Sequence, residues 1–139
     1  MRFVIDTNIL VSALRSRHGA SYKLVRSLPL ELFEPALSVP LYTEYQDVLT
    51  RSDLVPGFES DEIIRFLRYF CSICHLQEIF YLWRPFLKDP KDDMVLELAV
   101  ASSSQVIVTH NEKDFTGSEA FKIEIMKPGD FLERIGGNQ

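Results

Sequence analysis

The chain has 139 residues, 46% of them apolar and 25% charged, with a formal net charge of −5. Those values fit one globular domain with one core, spanning 1–139. No apolar run reaches membrane-spanning length, and Asp6 interrupts the short early one, so neither a membrane segment nor a secretory leader is expected; the cytoplasm is the expected compartment. Taken in chain order, residues 2–5 read as a short buried strand ending at Asp6. Asn8–Ser16 follows as a helix on Ile9, Leu10, Ala13 and Leu14. Gly19 breaks it, and Ala20–Leu28 is a second helix closed by Pro29. Leu32–Ser38 reads as a second strand, and Pro40 opens a helix to about Arg51.

Pro56-Gly57 marks a turn, and Ser60 or Asp61 caps a longer helix to about Cys74, with Ile63, Leu67, Phe70 and Cys74 on one face. Residues 76–88, aromatic-rich and ending in prolines, give no clear period. Residues 92–103 are apolar around the helix and predict a buried one. Val106–Thr109 is a strand, a short helix follows at Glu112–Phe115, and Ile123–Met126 is the last strand. Pro128 starts a final helix that Gly136-Gly137 ends. Alternating strands and helices predict an α/β fold with a central parallel sheet covered on both faces. Such sheets gather their sites at the carboxyl ends of strands, where Asp6 and Thr109 fall.

Four acidic sites stand at these junctions: Asp6, Glu44, the pair Asp92 and Asp93, and Asn111 with Asp114. Clustered carboxylates repel one another, and a hard divalent cation such as Mg²⁺ or Mn²⁺ is the simplest compensation. Each acid also has a structural reading. Asp89 suits an N-cap ahead of Pro90, Asp92 would close a capping box at the third position, and Asp93 complements the helix dipole. Glu44 is harder to explain so, because it borders the apolar stripe of Leu41, Tyr45 and Val48. Around Asp6, the side chains of Thr7, Asn8, Ser12 and Thr109 supply neutral donors for orienting carboxylates or a phosphate. Charge is uneven: residues 1–30 carry +4, residues 31–80 carry −6 and residues 81–139 carry −3. The first third can therefore present a basic patch despite the acidic total, or simply solvated helix faces.

The runs V-I-D-T-N-I-L-V-S, T-E-Y-Q-D-V-L, D-P-K-D-D-M-V-L-E-L-A and V-I-V-T-H-N-E-K-D-F, in that order, resemble the PIN domain family. The resemblance covers nearly the whole chain and is closest to the VapC-like toxins of bacterial and archaeal toxin–antitoxin pairs. It implies a three-layer α/β/α sandwich and a Mg²⁺- or Mn²⁺-dependent ribonuclease that hydrolyses single-stranded RNA. The family's acids fall on Asp6, Glu44 and Asp92, with the fourth position at Asn111 and Asp93 secondary. Where the toxin branch often carries Gly and Asp after the strand-ending Thr, this chain has His110 and Asn111, and Asp114 stands ready to supply a carboxylate. The resemblance further implies a small antitoxin partner and a possible homodimer. The stretch Ile79–Phe86 with Tyr81 and Trp83 offers a surface for either partner, or core, which is the default for such apolar residues.

Other readings compete. Cys71-Ser72-Ile73-Cys74-His75 matches the c-type haem string, but both cysteines fall on the apolar side of a predicted helix, so no haem is expected. Zinc would need two further ligands, and only His18 and His110 remain as histidines. A response regulator needs an acceptor Asp after a central strand, and a D-x-D phosphatase needs an Asp where Asn8 stands. The alternative that keeps the fold is a non-catalytic PIN module that binds RNA or protein.

Overall fold

The computed structural model describes residues 1–51, 53–80 and 86–138. Five short strands form one parallel sheet in the order β3-β2-β1-β4-β5, with β1 Arg2–Ile5, β2 Glu34–Leu37, β3 His75–Leu76, β4 Val106–Val108 and β5 Glu124–Met126. Phe3, Val4 and Ile5 are all fully buried although successive strand residues point to opposite faces, so both faces of the sheet are covered. The helices that cover them are α1 Thr7–Arg15, α2 Ala20–Ser27, α3 Val39–Leu49, α4 Ser60–Ile73, α5 Pro90–Ala101 and α6 Pro128–Asn138. The result is the expected three-layer α/β/α sandwich around a parallel sheet. Among the described residues no helix is long and apolar enough to cross a membrane.

The chain steps outward from β1 to β2 and β3, then returns to lay β4 on the other side of β1. That reversal opens a crevice above the carboxyl ends of β1 and β4, the place where open parallel sheets hold ligands. Phe3 pairs with Val106 and Ile5 with Val108, so Asp6 and Thr109 leave the sheet side by side. Helix α5 packs against β1, β2 and β4 and presents apolar residues on nearly every side, as a helix buried in the layer must.

Most boundaries fall within two residues of the sequence reading. Three departures have physical causes. The N-cap of α4 is Glu59, whose backbone N–H donates to the Glu62 carboxylate at 2.9 Å, so Ser60 is the first helical residue and neither Ser60 nor Asp61 is the cap. Strand β3 is two residues long and exists only because the edge of β2 offers it a partner, a pairing no local period announces. Gly136 and Gly137 do not end α6. A glycine costs a helix about 1 kcal/mol against alanine but does not forbid it, and buried Phe131 and Ile135 hold this one to the core. Tyr81 and Trp83 lie outside the described residues; of their neighbours, Ile79 is half-buried and Phe80 is exposed.

Candidate functional site: an acidic cleft at the sheet reversal

Asp6 is held by its position between strand and helix. Its backbone N–H donates to the Val108 carbonyl, continuing the β1–β4 ladder by one residue. Its carboxylate then caps α1: Oδ1 accepts from the Thr7 N–H at 2.8 Å and Oδ2 accepts from the Thr109 hydroxyl at 2.7 Å. Thr109 Oγ1 in turn accepts from the Asn111 N–H at 3.1 Å and from Asn8 Nδ2 at 3.4 Å. One hydroxyl thus ties the ends of β1 and β4, the start of α1 and the turn after β4 into a single knot. His110 shares a bond with Ser21 Oγ at 3.2 Å, and burial holds its imidazole below the usual pKa, with Lys127 adding to the shift.

The other acids arrive on helix starts and faces. Ser38 caps α3, and the Tyr45 hydroxyl donates to the Ile5 carbonyl, which anchors the buried side of α3 to the end of β1. Glu44, one residue earlier, is thereby turned toward Asp6 and is mostly buried, with Lys91 Nζ 3.8 Å from its Oε1. Asp89 caps α5 by accepting from the Lys91 N–H at 2.9 Å, with Pro90 at the first helical position as the sequence indicates. Asp92 follows in the same first turn and reaches the cleft.

The resulting cavity holds about 310 Å³ and is lined by Asp6, Glu44, Asp89, Asp92 and Asp114, with Asn111 and Lys91. Thr7 and Asn8 also line it, whereas Ser12 does not, and Thr109 stands behind Asp6. Asp93 goes elsewhere: fully buried, it accepts from the Leu87 N–H at 2.7 Å and the Phe86 N–H at 3.2 Å, folding residues 86–87 over the start of α5. Asp89 does both: it caps α5 and, standing at the mouth of that helix start, also lines the cleft. Outside the cleft, Cys71 and Cys74 are free thiols, and burial pushes the Cys74 thiol far up.

Packing these carboxylates together opposes their ionisation. Burial raises the Asp6 pKa above its ordinary value, its bonds to Thr109 and Thr7 pull the other way, and Asp114 and Glu44 add repulsion. Burial, with Asp6 and Asp114 next, pushes Asp92 up from 3.8 to about 7. Among the described residues no three acid, histidine or cysteine side chains already stand close enough to grip one ion. The donor set nonetheless suits a hard divalent cation: carboxylate and amide oxygens converge on one cleft, and countercharge there relieves a repulsion the apoprotein carries.

A pH dependence follows. An acid whose folded pKa exceeds its unfolded one stabilises the fold while protonated, so metal-free stability falls as pH rises from about 4 through about 7. Water screens the half-exposed Asp92, so its share is about 1 kcal/mol. Thermal melts at about pH 5 and about pH 8 should show a larger drop in wild type than in Asp92→Asn, and Mn²⁺ should restore it chiefly at the higher pH. Equal Mn²⁺ shifts at both pH values would refute the assignment of these carboxylates to a cation.

A sequence model of the PIN domain family matches residues 2–113. No curated protein sequence matches the chain. Among solved structures, VapBC2 from Rickettsia felis, bound to a promoter DNA fragment, superposes with a TM-score of 0.64 at 17% identity, over 91% of this chain and 98% of that one. VapBC-1 from nontypeable Haemophilus influenzae gives 0.62 at 17% identity, over 93% and 99%. FitAcB from Neisseria gonorrhoeae gives 0.58 at 15% identity, over 91% and 98%. At these identities the likeness is one of fold.

Proposed function

Because this chain belongs to the PIN domain family, we propose that its acidic cleft hydrolyses phosphodiester bonds of single-stranded RNA with the help of Mg²⁺ or Mn²⁺. The observation that carries the reading is the convergence of Asp6, Glu44, Asp92, Asn111 and Asp114 on one cavity at the sheet reversal. Asp6 and Asp92, with Asn111 and Asp114, would hold the cation directly or through its waters, since Mg²⁺ keeps several. Bound there, it supplies Lewis-acid polarisation of the scissile phosphate and cancels charge as the transition state develops.

The remaining work falls to the chain itself. Glu44, mostly buried and turned toward Asp6, accepts the proton of the attacking water at its carboxylate. Lys91, beside it, offers a charged donor to a phosphate oxygen. Thr109 fixes the Asp6 carboxylate, and Asn8 fixes Thr109, so the leading acid cannot rotate away from the cleft. Water as the nucleophile leaves a 5′-phosphate and a 3′-hydroxyl. A single strand suits the cleft because its backbone can be drawn in without unpairing.

The experiment is cleavage of a mixed RNA pool with Mn²⁺, followed by end-group analysis of the products. Full activity in excess EDTA, or 2′,3′-cyclic phosphate ends, would refute the reading. Thr109→Val should lower the rate about tenfold and move the acidic limb of its pH profile upward, because Asp6 loses a bond that favours its ionised form; Thr109→Ser should keep both. An unshifted profile in Thr109→Val would show that the hydroxyl does not tune Asp6. The resemblance to VapC-like toxins, with the fold shared with VapBC proteins, supports a small antitoxin as partner. Co-purification with the product of a neighbouring reading frame, and suppression of RNA cleavage by it, tests that pairing.

A further inference from the structure

A second depression of about 660 Å³ lies where α1, α2 and α4 meet. Its wall sets Arg15, Arg17 and Arg26 beside Tyr22, Phe58 and Tyr69. None of the three arginines makes an ion pair or a side-chain hydrogen bond with any described residue. Glu62, the acid in the wall, is engaged by the Glu59 N–H. Arg15 and Arg26 sit in the last turns of α1 and α2, where the helix dipole favours cations. Arg17 stands in the connection between those helices and owes nothing to a dipole. Tyr69 and Phe58 are 53% and 38% exposed, so the core does not account for their rings.

This groove adjoins the cleft. Val11 walls the cleft and Leu14 walls the groove, about 5 Å further along α1. In the connection between α3 and α4, Leu54 lines the cleft and Phe58 lines the groove. The cleft itself is net negative, so a polyanion drawn into it needs attraction from nearby. Guanidinium groups interleaved with open ring faces match a single strand, which offers phosphates along one edge and unpaired bases along the other. A duplex hides its base faces. An apolar protein segment would leave three cations uncompensated.

We propose that the groove between α1, α2 and α4 binds the single-stranded RNA flanking the cut site, with Arg15, Arg17 and Arg26 on phosphates and Tyr69 and Phe58 stacked on bases. The assignment rests on the nuclease reading for its meaning, but its test does not depend on cutting. Asp6→Asn protein is titrated into a labelled single-stranded RNA of about ten nucleotides without added metal, and fluorescence anisotropy reads the affinity. In that background Tyr69→Ala should weaken binding about tenfold, and Tyr69→Phe should leave it unchanged. Arg15→Ala with Arg17→Ala should weaken it by a similar factor and lower the slope of log K against log salt by about 1.4.

All three positions are exposed, so circular dichroism and melting should show the variants folded. Affinity and salt slope unchanged in both folded variants overturn the assignment and leave the groove to an acidic protein segment. The cleavage assay separates the two readings. RNA left intact by wild type with Mn²⁺, together with binding lost in the variants, overturns the nuclease and keeps the groove. RNA cut by wild type, with binding unmoved in the variants, does the reverse.

Discussion

Asp6→Asn should lower RNA cleavage by about a thousandfold while the metal-free protein remains folded. The side chain is isosteric and changes two things. It removes a charge that burial already disfavours, which relieves the apoprotein. It also reverses one bond: Oδ2 accepts from the Thr109 hydroxyl, and an amide nitrogen placed there would meet an oxygen already taking bonds from Asn8 and Asn111. The two effects oppose each other, so the melting temperature at neutral pH should move by a few degrees at most. The stabilisation by Mn²⁺ should vanish with the activity, because both draw on the same carboxylate. Wild-type cleavage by Asp6→Asn would remove the centre of the mechanism. Lost cleavage with an undiminished Mn²⁺ shift would place the cation away from Asp6.

Asp93→Ala should act oppositely, costing about 3 kcal/mol of stability with little change in turnover per folded molecule. The carboxylate is fully buried and satisfies the Leu87 and Phe86 N–H groups. Deleting it strands both donors, and an unpaired buried donor costs about 1–3 kcal/mol. Urea denaturation gives the loss directly, and the rate should be measured well below the new midpoint. If stability held and Mn²⁺-dependent cleavage collapsed, Asp93 would be a metal ligand and the bonds to residues 86–87 incidental.

The contrast between these neighbours shows what a sequence can and cannot disclose. Asp92 and Asp93 are adjacent acids in one helical turn, and a helix turns each residue by about 100°. That alone sends one to the cleft and the other to the interior, but choosing which requires knowing where the sheet lies. Asp6 and Thr109 were easier, because a strand end in a parallel sheet has one direction to point. The strands β1 and β4 are legible from unbroken apolar runs. Strand β3 is not, since its two residues are ordered by β2 and not by their own pattern. Ser12, one helical turn after Asn8, falls outside the cleft wall. The basic excess of the first thirty residues was visible, but its aromatic companions Phe58 and Tyr69 come from a distant stretch that only packing brings near.

The hydroxyl knot at Asp6 has a consequence for synthesis. Its two partners are 103 residues apart, and β4 needs β5 before its outer edge is paired. A chain still being made on the ribosome possesses Asp6 and Glu44 long before it possesses Thr109, Asn111 and Asp114, and Asp92 also precedes them. Until then the leading carboxylate has only its local bond from the Thr7 N–H, and the cleft lacks its far wall. If the protein cuts RNA, a nascent chain is harmless to the messenger and ribosome producing it, and becomes competent only as the last strand is released.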